Sequence, residues 1–187
     1  IFDLDGVILS TDKFHYLAWK QIADQEGIYF DEKINNRLRG VSRMDSLNIV
    51  LERSNKEYTD SEKINLANQK NEIYINLLEQ LNIESVSRNV ISTLHELKKK
   101  GLKLAIGSSS KNTKLILNKV GLTSLFDVIV DGNMINHSKP HPEVFLKASE
   151  ILGLKPSEAL VVEDAIAGIE SGTRRIQNYR TSRSKRI

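Results

Sequence analysis

From about residue 88 the chain alternates between two patterns, and that alternation limits its fold more than any other feature. Helix-period stretches close on glycine and are followed at once by short apolar runs. VISTLHELKKK ends at Gly101 before LKLAIG. KLILNKV ends at Gly121 before DVIV. PEVFLKASEIL, with Pro142 in its first turn, ends at Gly153 before ALVVE, and AIAGIE then starts another helix. Runs this short and apolar on both faces, separated by helices, specify a parallel sheet covered on two sides. In an open sheet of that kind ligands bind beyond the carboxyl ends of the strands.

The first part of the chain differs. Phe2 to Leu9 is an apolar run interrupted by Asp3, Asp5 and Gly6, which predicts a strand stopping at a turn. Residues 13 to about 80 carry helical periodicity almost throughout. Phe14, Leu17, Ala18 and Ile22 share a face closed by Gly27, and KINNRL predicts a second helix running to Gly40. Leu47, Val50 and Leu51 mark a third, and TDSE, from Thr59, has the form of a capping box opening a fourth. The expected architecture is therefore α/β, a Rossmann-like parallel-sheet core with a helical unit inserted after the first strand. The core takes residues 1–11 and 82–187, and the insert residues 12–81.

Composition narrows the function classes. With 187 residues the chain can bury a sizeable core. It has no cysteine, hence neither disulfides nor thiolate chemistry, which fits a reducing compartment. No apolar stretch approaches the ~18 residues of a membrane span, and no signal peptide is visible before Ile1. The net charge of +3 does not indicate nucleic-acid binding. Six of the 27 basic residues lie in the terminal TRRIQNYRTSRSKRI, which has no acid, and without them the 24 acidic residues outnumber the basic ones.

Polar residues at the four predicted strand ends are the candidates for chemistry. Asp3 and Asp5, two apart in a strand, point the same way; the bland alternative is a solvated turn. Asp3 lies inside an apolar run, where an unpaired carboxylate is costly and a bound cation would offset the cost. Gly107-Ser108-Ser109-Ser110-Lys111-Asn112 places hydroxyls and a lysine at a helix N-terminus, suited to an anion or simply a serine cap. Pro140 and Pro142 stiffen the backbone around Lys139, which otherwise reads as a solvated lysine in a rigid loop. Glu163-Asp164 closes the strand ALVVE, either as part of an acidic site or as a helix cap.

In that order, Asp3-Leu4-Asp5, Ser108, Lys139-Pro140 and Glu163-Asp164 resemble the four-motif signature of the haloacid dehalogenase superfamily. The helical insert sits where one subgroup of that superfamily carries its cap. HYLAWK, LRGVSRMDSL, SSSKN and SKPHP resemble its β-phosphoglucomutase branch, from Phe2 to about Ile169. The resemblance implies a magnesium-dependent enzyme interconverting β-D-glucose 1-phosphate and glucose 6-phosphate through an aspartyl phosphate and a bisphosphate. It makes Asp3 the nucleophile and Asp5 the general acid–base, with Ser108 and Lys139 holding the transferring phosphate. Mg2+ would be held by Asp3, the Asp5 backbone carbonyl, Asp164 and waters, with Glu163 nearby.

Implied substrate-binding residues are His15, Trp19, Gly40, Val41, Arg43, Lys70, Ser110, Lys111 and Asn112, with Arg43 gripping the phosphate that is not being transferred. Bland alternatives stand beside three of these: His15 as a helix-face histidine, Trp19 as core packing and Lys70 as a solvated lysine. Closure of the cap would exclude water, so that a sugar hydroxyl receives the phosphoryl group. The partner implied is a small phosphosugar, with no nucleic acid and no membrane, for a cytoplasmic monomer.

Two stretches depart from the family pattern. The chain starts inside the first strand, which reads as a fragment at that end. After AGIESG, where the family continues a helix and then an apolar strand, residues 171–187 lack apolar period. They are expected to form an aberrant or disordered tail that leaves one sheet edge open. A phosphatase using the same core residues, and an inactive fragment, are the alternative expectations.

Overall fold

A computed structural model of the protein describes residues 1–173 and the backbone of 177–180. The chain divides into two compact units, residues 1–10 with 81–187, and residues 11–80. No helix among the described residues is long and apolar enough to cross a membrane.

The first unit is built on a parallel sheet. Strands β1 (Ala105–Gly107) and β2 (Val128–Val130) pair in parallel, as do β3 (Leu160–Glu163) and β4 (Gln177–Arg180). Phe2 joins the two pairs, bridging Ile106 on one side and Val162 on the other, both in parallel. Asp3 N–H donates to Val162 C=O (3.0 Å) and Gly107 N–H to Phe2 C=O (2.9 Å). The order across the sheet is thus β2, β1, the N-terminal segment, β3, β4, with the N-terminal segment central. Helices of this unit are α5 (Arg88–Lys99), α6 (Thr113–Lys119), α7 (Glu143–Ile151) and α8 (Ile166–Thr173). Ala105, Val130 and Val161 of the sheet pack with Val144, Phe145 and Ala148 of α7 in a continuous apolar cluster.

Three expectations need correction here. The extended segment ends at Asp3, not Leu9. Gly6 adopts φ +86°, open to glycine at little cost, and the chain folds back with Ile8 N–H on Leu4 C=O (3.0 Å) and Gly6 N–H on Leu9 C=O (2.7 Å). Asp5 therefore lies on a turn, and the two-residue strand period does not orient it. The sheet edge beyond β3 is not left open: β4 pairs with it from Leu160↔Gln177 to Glu163↔Arg180. A parallel ladder is made by backbone groups, so the lack of apolar period in that stretch did not exclude a strand. Residues 174–176 and 181–187, where the rest of the expected tail falls, lie outside the described residues. Lastly, Pro142 caps α7 from outside the helix instead of entering its first turn.

The second unit holds α1 (Asp12–Gln25), α2 (Glu32–Asn36), α3 (Arg43–Leu51) and α4 (Asp60–Leu78). Helix α2 stops short of Gly40; Arg37 and Leu38 make three-residue-back bonds to Ile34 and Asn35 instead of continuing the helix. Helix α4 opens on a capping box in which Thr59 Oγ1 accepts from Glu62 N–H (3.3 Å) and Glu62 Oε2 accepts from Thr59 N–H (2.9 Å). Trp19, Ile22, Phe30, Leu47, Val50 and Leu66 form its core.

Candidate active site

The register of the sheet gathers the first unit's candidates at one end. One residue past the Phe2 bridges, the same line across the sheet meets Val130, Gly107, Asp3 and Glu163. Ser108, Asp131 and Asp164 follow at the next position. Parallel strands in register end together, which is why residues as far apart in sequence as Asp3 and Glu163 share this edge.

Lys139 ties the cluster together. Its ammonium donates to Asp3 Oδ1 (2.6 Å) and to Glu163 Oε2 (2.7 Å), and all three side chains are buried. Lys139 also lies over the Phe145 ring, 4.6 Å from its centroid. Burial is the largest influence on Asp3 and, with Glu163 close by, it pushes the Asp3 pKa up to about 7 against the pull of Lys139. Burial works in the opposite sense on Lys139, but Asp3 and Glu163 outweigh it and hold its pKa above the usual lysine range. Glu163 is held at both oxygens: its Oε1 accepts from the N–H groups of Asp164 and Ala165, both at 3.0 Å.

Asp3, Glu163 and Asp164 can each offer a carboxylate oxygen within 4.8 Å of the others. Gly6 makes room for one of them, since a Cβ there would come within 2.2 Å of Asp164 Oδ2. An all-oxygen, carboxylate-rich donor set suits a hard divalent ion such as Mg2+ better than a softer metal, so the residues present fit that ion.

The serine turn is fastened by its own hydroxyls. Ser108 Oγ accepts from Ser110 N–H (3.2 Å), and Ser110 Oγ accepts from Asn112 N–H (3.2 Å). A hydroxyl oxygen used as an acceptor keeps its proton to donate. Ser108 is buried, Ser110 and Asn112 are partly exposed, and Lys111 is exposed. The turn is also pinned to the Lys139 loop, because Lys139 N–H donates to Ser109 Oγ (3.3 Å). Asp5 contributes its negative charge to the surroundings of Asp3.

Candidates on the helical unit form a second cluster. Lys70 Nζ lies 2.7 Å from His15 Nδ1, over the rings of Tyr74 and Trp19, while His15 stacks on Tyr74 at 4.1 Å. Burial, then Lys70 and Arg43, holds His15 well below the usual histidine pKa, so it is neutral and its Nδ1 accepts from Lys70. Lys70 is only 3% exposed, which rules out a solvated lysine. Trp19 is 2% exposed within the apolar core and faces Lys70, the packing alternative of the two. Arg43 donates to Asn71 Oδ1 (2.7 Å) and is partly buried. Gly40 (φ +75°) and Val41 sit on the partly exposed turn before α3.

Two glycines essential to this geometry escaped the sequence reading. A Cβ on Gly168 would fall 1.8 Å from Glu163 Oε2, and one on Gly107 would fall 2.7 Å from the Phe145 ring. Gly168 therefore admits the Glu163 carboxylate, and Gly107 admits the ring under Lys139. In sequence each is only a glycine near a strand end; the signal lies in what folds against it.

Comparison with known proteins bears on the family and the fold. Residues 1–177 match the family model described as haloacid dehalogenase-like hydrolase. The chain is 40% identical to a beta-phosphoglucomutase of Bacillus subtilis over 173 residues, covering 91% of this chain and 76% of that protein. It is 29% identical to a phosphorylated carbohydrates phosphatase of Thermotoga maritima over 174 residues, covering 91% and 78%. Among solved structures, a beta-phosphoglucomutase of Clostridium difficile superposes with a TM-score of 0.89 at 38% identity, over 94% of this chain and 80% of that one.

Proposed function

The chain belongs to the haloacid dehalogenase-like hydrolases, and from that premise we propose that it is a phosphosugar mutase acting on β-D-glucose 1-phosphate. The observation carrying the proposal is the buried convergence of Asp3 and Glu163, from two strand ends, with Lys139 from the loop before α7. Relatives on both sides of the mutase–phosphatase divide share this family, and the greater likeness to the mutases favours transfer to a sugar over transfer to water.

In this reading Asp3 is the nucleophile. Lys139 holds one carboxylate oxygen and opposes the effect of burial on its charge, which leaves the other to attack phosphorus in line. The phosphoryl group carried by Asp3 passes to the C6 hydroxyl of the substrate: the Asp3–phosphorus bond breaks, the new phosphate ester forms, and Asp5 takes the hydroxyl proton. The bisphosphate then presents its C1 phosphoryl group to Asp3, and Asp5 returns the proton to the departing C1 oxygen. Ser108 and Lys139 donate to the equatorial phosphoryl oxygens. Mg2+, held by Asp3, Asp164 and the Asp5 carbonyl, would offset phosphoryl charge. Arg43 is assigned to the non-reacting phosphate, since a guanidinium carries five donors in a fork suited to it. His15, Lys70, Gly40 and Val41 shape the sugar side, with Ser110, Lys111 and Asn112 as further phosphate donors.

Incubation with β-D-glucose 1-phosphate, Mg2+ and a trace of the bisphosphate tests this. Formation of glucose 6-phosphate, abolished by Asp3→Asn, is the expected result. Steady release of inorganic phosphate without the isomer would assign the chain to the phosphatases.

A further inference from the structure

A different cluster lies on the loop that carries Lys139. His137, His141 and Glu143 can each present a ligand atom within 4.8 Å of the others. Glu143 Oε2 is 3.0 Å from His137 Nδ1 and 3.9 Å from His141 Nδ1. Two donors at ~2.0–2.1 Å from a tetrahedral ion stand ~3.3 Å apart, so these separations bracket what such an ion requires. The two imidazole rings are 4.7 Å apart, tilted by 41°. The carboxylate is already oriented: Oε1 accepts from Asn136 N–H (2.8 Å) and Oε2 from His137 N–H (2.9 Å). A carboxylate has about four lone-pair sites, and outer bonds of this kind fix a ligand's direction. His141 Nδ1 also accepts from Glu143 N–H (3.3 Å) at the start of α7, a long bond that ligation would give up. Both rings are exposed, and packing does not account for their approach. Pro140 and Pro142 bracket His141, so little backbone freedom is lost on ligation.

We propose that His137, His141 and Glu143 form a second metal site, selective for a borderline divalent transition ion such as zinc, on the loop that presents Lys139. Its nitrogen-rich donors separate it from the all-oxygen set at Asp3 and Asp164. Ligation through His137 Nδ1 leaves the ring's proton on Nε2, so zinc takes the place of the hydrogen bond between Nδ1 and Glu143. Ligation closes residues 137–143 into a ring around the lysine that pairs with Asp3.

Calorimetric titration of the full chain with zinc, in excess Mg2+ to cover the oxygen site, tests this. One equivalent of zinc is expected on the wild type and on Asp164→Asn alike. His137→Ala and His141→Ala should each weaken it by more than about tenfold, since even outer-shell partners cost 10–100-fold. Far-UV circular dichroism checks that the variants fold. On the wild type alone, zinc should shift the imidazole NMR signals of His137 and His141 and leave those of His15 and His95 in place. Absence of zinc uptake, uptake unchanged by both histidine variants, uptake lost only with Asp164→Asn, or imidazole signals unmoved by zinc would each overturn the proposal.

Discussion

Gly168 shows how far a single hydrogen in place of a methyl can reach. Glu163 occupies the space above it, and Glu163 in turn holds Lys139 on Asp3. Gly168→Ala forces the carboxylate aside. Overpacking of this kind costs about 1–3 kcal/mol, to be read as a lowered midpoint in urea denaturation. Turnover should fall with it, because Lys139 loses one of its two carboxylate partners. Retention of both wild-type stability and turnover would show that Glu163 has another seat. Lys139 is subject to a similar argument. Lys139→Ala leaves Asp3 and Glu163 buried without their shared cation, and removing one partner from a buried pair costs about 3–5 kcal/mol. The same variant should lose phosphoryl transfer even where its fold is rescued by lowering the temperature.

Helix α4 is the element whose formation is most locally encoded. Thr59 and Glu62 satisfy each other's backbone N–H groups at its start, and Lys56 adds an ion pair with Glu62. Thr59→Ala should cost about 1 kcal/mol, measured by urea denaturation. The same cap predicts a pH dependence. Its bond to Thr59 N–H, then Lys56, depresses the Glu62 pKa from 4.5 to about 2 in the folded chain. A depressed carboxylate contributes stability above its unfolded value, and that contribution is lost as pH falls from about 4.5 towards 2. Glu62→Gln should therefore lower stability at neutral pH, where the wild type keeps the whole contribution, and flatten the profile in that window; an unaltered acid limb would mean the cap does not form. This element could be read in advance because TDSE places all the interacting groups within one helical turn. Helix α2 could not, because KINNRL continues the periodicity past the point where the chain turns at Arg37.

For the molecule as a whole, the carboxylates of Asp3, Glu163 and Asp164 predict coupling between ion binding and folding. Mg2+ at a hundred times its dissociation constant should stabilise the chain by about 2.7 kcal/mol, seen as a raised melting temperature that Asp164→Asn abolishes. A melt indifferent to Mg2+ in the wild type would remove the oxygen site. By itself the sequence determined the parallel α/β core, the helical stretch after the first strand, and which polar residues stand at the strand ends. These follow from local period, glycine stops and caps, which act over a few residues. Only the tertiary structure decided that Asp5 lies on a turn, that Trp19 is core, that residues 177–180 complete an edge, and that two glycines clear space for Glu163 and Phe145. The burial of Trp19, the pairing of β4 and the seat of Phe145 on Gly107 are settled by contact between separate segments, and the Asp5 turn and the fit of Glu163 on Gly168 by backbone geometry; a one-dimensional pattern records neither.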